Sequence, residues 1–95
     1  MTTYTDADIR LAHAFADTLL DWLGDEKFEQ MRLKNVEYGG MCCASHDYCD
    51  ANMAMLEAWP TVYRREYRFD DEADTLRWNR AWDAAHALGL ICHKP

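Results

Sequence analysis

Apolar side chains recur at helical spacing near the start of the chain. Each lies three or four positions after the last, so a helix would place them on one face. They are Leu11, Phe15, Leu19 and Trp22. Thr5 followed by Asp8 is typical of a capping box at a helix start, and Gly24 is typical of the residue that ends a helix. The pattern predicts a first helix that begins after Thr5 and ends before Gly24.

The next segment has a weaker pattern. Residues 25–38 are predicted to form a second helix, although Phe28, Met31, Leu33 and Val36 fall only partly on one face. A short strand over residues 31–38 is the alternative, because a weak helical period does not exclude an extended chain. The pair Gly39-Gly40 stops either element.

Two further helices are predicted in the second half. Ser45 has the character of an N-cap, and the apolar face that follows includes Met55, Leu56 and Trp59. Pro60 disfavours helical geometry at the residue before it, which predicts that this third helix ends there. A fourth helix is predicted from Asp70 or Asp71 to the residue before Gly89.

These elements predict an all-α fold. We expect one domain over residues 1–95, built as a compact bundle of about four helices. The side chains on the helical apolar stripes should share one core. They are Phe15, Leu19, Trp22, Met55, Leu56, Trp59, Trp78 and Trp82.

The net charge of the chain limits the classes of partner that it could bind. The formal net charge is −7, and residues 1–30 hold seven acids and two bases. An excess of acid argues against direct binding to nucleic acid or to anionic membranes, both of which attract Lys and Arg. It suits a protein whose partner is basic. With no signal peptide and no apolar run long enough to span a membrane, we expect a cytoplasmic protein.

The acids of the first half are the predicted partner-binding residues. They would form a carboxylate array that steers association with a basic surface and competes there with phosphates. They are Asp6, Asp17, Asp21, Asp25, Glu26 and Glu29.

A cluster of Cys and His residues offers a different function. Cys43, His46 and Cys49 are spaced three apart, so a helix could present three zinc ligands or a thiol with a neighbouring base. Structural zinc sites usually pair two such short motifs, and only one is visible. We therefore expect no metal, no cofactor and no catalytic residue, and keep a metal- or thiol-dependent site on this helix as the alternative.

Several polar residues fall where the helices should meet. Asn52 lies on the apolar face of the third helix, and a buried amide needs hydrogen-bond partners. We interpret this group as a structural polar network that joins the third and fourth helices. Its members are His46, Asp50, Asn52, Asn79 and Asp83. The basic cluster of Arg64, Arg65 and Arg68 is followed at once by acids, which favours a local salt-bridged surface over a phosphate site.

Two stretches carry a resemblance. Residues 43–53, CASHDYCDANM, and residues 78–83, WNRAWD, resemble a group of small acidic proteins of unknown function from phages, prophages and other mobile elements. The resemblance covers residues 42–88 and implies no activity or cofactor. It implies a genomic setting in which small acidic proteins often inhibit host proteins, as anti-CRISPR proteins and DNA mimics do. The sequence therefore predicts an inhibitor that occupies a basic surface of a host protein.

Overall fold

The fold is all-α. A computed structural model describes residues 3–37 and 48–91, with the side chains of all of these except residues 23, 27–37 and 48–51. Helix α1 spans Asp6–Glu37, α2 spans Tyr48–Tyr63 and α3 spans Glu72–Ala87. Because Gly24 interrupts α1 with non-helical torsions, these ranges hold four helical segments. The predicted bundle of about four helices is confirmed.

Helix α1 begins with the predicted capping box. The backbone N–H of Asp8 donates to Thr5 Oγ1 at 3.1 Å, and the backbone N–H of Thr5 donates to Asp8 Oδ2 at 3.0 Å. Two N–H groups that the helix leaves unbonded are thereby satisfied. Gly24 has φ 79° and ψ 163°, a conformation that a side chain would strain. The first segment therefore ends where the sequence predicted.

Residues 25–37 are helical, so the alternative of a strand over residues 31–38 is wrong across the described part of that range. None of the helices within residues 3–37 and 48–91 has the length and apolar character needed to cross a membrane.

Helix α2 corrects the prediction at Pro60. The helix continues through Pro60 to Tyr63 because packing outweighs the local preference. Trp59 is fully buried, and the ring of Tyr63 stacks on it with centroids 4.5 Å apart. The Thr61 hydroxyl donates to the Ala58 carbonyl at 2.6 Å, and the Arg64 N–H donates to the Pro60 carbonyl at 3.0 Å, so the last turn keeps its hydrogen bonds. The predicted start at Ser45 lies outside the described residues.

Helix α3 is capped at both ends as the sequence predicted. Asp71 is the N-cap, and its carboxylate accepts from the backbone N–H groups of the next turn. At the other end, Gly89 has φ 69° and donates to the His86 carbonyl, while Leu90 donates to the Ala85 carbonyl. This pair of bonds is a Schellman motif, and Leu90 packs against the core beside it.

The core lies where α1 packs against both α2 and α3. Its largest side chains come from α1 and α2, whereas α3 contributes small ones, which permit close approach of the helices. The fully buried apolar residues include Leu11, Phe15, Leu19, Met55, Trp59, Ala81, Ala84, Ala85 and Ile91. Four of the eight predicted core residues, Phe15, Leu19, Met55 and Trp59, are among them.

The other four predicted core residues are less buried. Leu56 is half-buried, and Trp78 and Trp82 are partly buried against the core. Trp22 is 46% exposed, so its prediction as a core residue is wrong. Helical spacing identifies the face of α1 but not how far a facing helix extends along it. Among the described side chains of α1, Leu19 is the last that is fully buried, one turn before Trp22.

Candidate partner-binding surface

The acids predicted to bind a partner lie on the surface. Asp6, Asp17, Asp21, Asp25 and Glu26 are all exposed. The side chain of Glu29 lies outside the described part of the structure. None of the ion pairs formed among the described side chains involves these five carboxylates.

Asp17 and Asp21 occupy positions where the local electrostatics of α1 are unfavourable for an acid. They are one turn apart on α1, and like charges at this spacing repel by a few tenths of a kcal/mol. Asp21 also lies in the last turn before Gly24, where the helix dipole is negative and disfavours an acid. The stability of α1 therefore does not explain why acids occupy these two positions.

Asp6, Asp25 and Glu26 differ in this respect. Asp6 lies in the first turn of α1, and Asp25 and Glu26 begin the segment that follows Gly24. An acid at a helix N-terminus is favoured by the dipole. These three residues stabilise the helices on which they lie, whatever else they contact.

A carboxylate that the sequence did not single out is fully buried. Asp74 lies in the first turn of α3 with no exposed surface. It accepts from Arg65 Nη1 and Nη2 at 2.6 and 2.5 Å, from Arg77 Nη1 at 2.9 Å and from the backbone N–H of Arg68 at 3.0 Å. Two guanidinium groups and one backbone N–H therefore hold a single buried charge.

The pKa values follow from this geometry. The two-bond contact from Arg65 holds the pKa of Asp74 far below its usual range, and this outweighs the opposing effect of burial. The same contact raises the pKa of Arg65. The geometry therefore favours the charged form of both groups, and the cluster is a structural ion pair.

A second buried carboxylate, that of Asp8, connects the N-terminal segment to α3. Asp8 is 2% exposed and accepts from Arg80 Nε at 2.9 Å, and Arg80 also donates to the Thr3 carbonyl. Burial raises the pKa of Asp8, but hydrogen bonds from the Thr5 backbone and from Arg80 outweigh it, so the pKa lies below its ordinary value. The N-terminal segment is thereby tied to α3.

Tyr4 adds a second tie between the same elements. Its hydroxyl donates to Asp83 Oδ2 at 2.5 Å. The hydrogen bond to this carboxylate, together with burial, raises the pKa of Tyr4, because an ionised phenol could not donate to it. Asp83, which was predicted to bind polar groups of the third helix, bonds here to the N-terminal segment.

Arg65 and Arg77 also contact aromatic rings. The Arg65 guanidinium lies 6.0 Å from the centroid of the Trp59 ring, and the Arg77 guanidinium lies 5.5 Å from that of Tyr63. Both guanidinium groups bond to Asp74 at the same time. Each arginine is therefore held by one carboxylate and one aromatic ring, an arrangement that combines a charged hydrogen bond with a cation–π contact.

The structure describes the side chains of three members of the predicted polar network, Asn52, Asn79 and Asp83. Asn79 is exposed and so is not a member of a buried network, since its position on α3 faces away from the core. Asn52 and Asp83 are half-buried. His46 and the side chain of Asp50 lie outside what the structure describes. The side chains that connect distant elements of the fold are instead the two buried carboxylates, Asp8 and Asp74, and the arginines bonded to them.

The basic cluster in the segment between α2 and α3 forms a salt-bridged surface, as predicted. Arg65 pairs with Asp74 at 2.5 Å and Arg68 approaches Asp71 at 3.8 Å.

Cys43, His46 and the side chain of Cys49 fall outside the described part of the chain. Among the described residues, no three His, Cys, Asp or Glu side chains are grouped so as to hold a metal ion.

The sequence does contain a feature that marks the positions of the two buried carboxylates. Asp8 and Asp74 each lie three residues after an N-cap, Thr5 and Asp71. At this position the side chain turns back toward the start of its helix. The signal marks a cap, but it does not say which arginine from a distant segment will cover the carboxylate.

Comparisons of the chain with protein-family models, with curated proteins and with solved structures return no match.

Proposed function

We propose that this protein is a binding module that occupies a basic surface of a larger protein through the acidic face of α1. The surface that it covers would be one that ordinarily contacts the phosphates of a nucleic acid. The resemblance to small acidic proteins of mobile elements supports an inhibitor of a host nucleic-acid-binding protein.

The observation that carries this proposal is the position of Asp17 and Asp21. Both are exposed, they repel one another one turn apart, and Asp21 also meets the negative end of the helix dipole. Residues that weaken their own helix are better explained by a contact outside the molecule than by the fold.

Solubility is the competing explanation, since exposed acids keep small proteins in solution. It does not account for the choice of positions. Exposed acids at helix starts, such as Asp25 and Glu26, give the same solubility and stabilise the helix as well. Acids that were selected only for solubility would not be expected near the C-terminal end of a helical segment.

Charge reversal tests the proposal. The double variant Asp17→Lys/Asp21→Lys, immobilised alongside the parent protein, should fail to capture nucleic-acid-binding proteins from a nuclease-treated bacterial lysate. Duplex DNA added to the lysate should compete with capture by the parent protein. Capture should also weaken as salt rises, because exposed charges are screened.

The matched control is Glu57→Lys/Glu66→Lys. Both residues are exposed and lie outside α1, so this variant makes the same change in net charge. It should capture the same proteins as the parent. Equal capture by the parent protein and by both variants, or capture that is insensitive to salt, would contradict the proposal.

A further inference from the structure

Helix α1 is interrupted at a single residue. Within Asp6–Glu37, Gly24 alone has non-helical torsions, φ 79° and ψ 163°, in a region of backbone conformation that is open almost solely to glycine. Among the described residues, no atom lies within 4 Å of the place where a Cβ of residue 24 would be, so no close contact at this residue fixes the bend. A change of two torsion angles would join both segments into one helix of 32 residues.

The acids on the two sides of Gly24 favour the bent form. In a continuous helix, Asp17, Asp21 and Asp25 would follow one another at intervals of four residues, a spacing at which like charges repel. Straightening would remove the unfavourable dipole contact of Asp21, but Asp25 and Glu26 would both lose the favourable position at the start of a segment. None of the ion pairs among the described side chains neutralises these acids. A positive charge that removes the preference for the bend must therefore come from outside the described part of the chain.

Resting on the proposed function, we propose that Gly24 is a hinge and that a basic partner straightens α1 by neutralising the acids on both sides of it. Straight α1 presents Asp17, Asp21 and Asp25 in one row, about one helical turn apart, to a row of positive charges. Straightening uses part of the binding free energy. The free protein therefore stays compact and binds less tightly than a protein that is already straight.

The shape of the parent protein tests the hinge directly. A straight helix of 32 residues is about 48 Å long, whereas the longest extent of the bent molecule is 33 Å. The probe is a synthetic peptide that alternates glycine with lysine. Small-angle neutron scattering, with a partly deuterated peptide matched to the heavy-water solvent, records the protein alone. Saturating peptide should lengthen the largest dimension of the protein by roughly 15 Å.

The variant Gly24→Ala should straighten α1 without a partner, because alanine is strained at these torsions and is favoured inside a helix. It should be elongated in the absence of the peptide. Isothermal titration calorimetry should show that it binds the lysine peptide about two- to fivefold more tightly than the parent protein does, the factor that corresponds to the helix preference of alanine over glycine. A purely structural role of Gly24 would give no gain in affinity.

The matched control is Gly89→Ala. Gly89 also has a positive φ, 69°, but it follows α3, and no helix comes after it within the described residues. This variant should lose stability and keep the shape and affinity of the parent protein. Circular dichroism separates straightening, which keeps the helix content, from unfolding, which lowers it. If Gly24→Ala loses its helix content, the shape of the parent protein with the peptide decides.

The outcomes separate the two proposals. The hinge is overturned if the peptide binds the parent protein without lengthening it, or if Gly24→Ala folds with the parent's shape or affinity. It is also overturned if the elongated species has twice the mass of one chain, which would indicate an exchange of segments between two copies. In each of these cases the proposed function still stands if Asp17→Lys/Asp21→Lys abolishes capture from the lysate. If that charge reversal changes neither capture nor peptide binding, the proposed function fails as well.

Discussion

The acids of this protein fall into two groups with opposite surroundings. Asp8 and Asp74 are buried, and each is bonded to an arginine from another part of the chain. Asp17 and Asp21 are exposed on α1, where the helix itself disfavours them. The same residue type therefore joins elements of the fold in one region and presents charge to the surroundings in the other.

The difference shows that net charge alone is a poor guide to function in a small acidic domain. A buried carboxylate bonded to arginines adds little negative potential at the surface, because positive charge lies within hydrogen-bond distance of it. An exposed carboxylate contributes little to stability. Substitutions in the two groups should therefore separate stability from binding.

Lowering the pH should cause the largest loss of stability, because it protonates both buried carboxylates. The pKa values of Asp8 and Asp74 are lowered from an ordinary value of 3.8. Their contribution is complete above that value and is lost as the pH falls toward the pKa of the folded state. The free energy of unfolding should therefore fall progressively between about pH 5 and pH 2.

Urea denaturation at several pH values measures this dependence. In Asp74→Asn the free energy of unfolding should fall less steeply with acid than in the parent protein. Equal slopes in the two proteins would contradict the role assigned to Asp74.

Removing Asp74 should give the largest effect of a single substitution. Asp74→Ala leaves Arg65 and Arg77 without their shared partner, and breaking a buried pair from one side costs about 3 kcal/mol. The lower end of the usual range is expected because both arginines are partly exposed and can regain water. Chemical denaturation should show the loss, whereas Asp70→Ala, at an exposed turn position, should change stability by less than about 0.5 kcal/mol.

Asp8→Ala should destabilise the protein by about 2 kcal/mol. It removes one half of the capping box and the charged hydrogen bond from Arg80. Thermal unfolding measures the change. Asp6→Ala, two residues earlier and exposed, loses only a favourable dipole contact and should cost less than about 1 kcal/mol. Equal losses in the two variants would mean that the contact with Arg80 contributes nothing.

The exposed pair should give the smallest change in stability. Asp17→Asn/Asp21→Asn removes a like-charge repulsion and an unfavourable dipole contact, so unfolding should require the same free energy or about 0.5 kcal/mol more. Chemical denaturation of this double variant, beside its capture assay, provides the comparison. A loss above about 1 kcal/mol would place these carboxylates among the structural ones.

Local signals in the sequence predicted most of the helical boundaries. Thr5 with Asp8, Gly24, Asp71 and Gly89 each act within one turn of their own position, and the structure has all four in the predicted roles. Such signals depend only on the torsions and hydrogen bonds of neighbouring residues.

Features that depend on distant residues could not be predicted in the same way. The helix passes through Pro60 with Trp59 fully buried in a core that residues of α1 and α3 share. Trp22 is 46% exposed, although it has the same helical spacing as the buried residues of α1. The exposure of the acids was predicted from helical spacing, but the choice of Asp8 and Asp74 as buried partners depends on Arg80 and Arg65, 72 and 9 residues away.

The ties between the N-terminal segment and α3 also govern how a newly made chain can fold. Tyr4 and Asp83 are 79 positions apart, so Tyr4 leaves the ribosome long before its partner has been synthesised. Until α3 emerges, Asp8 must remain hydrated and the apolar stripe of α1 can pack on one side only. The domain therefore completes its fold only after α3 has been synthesised.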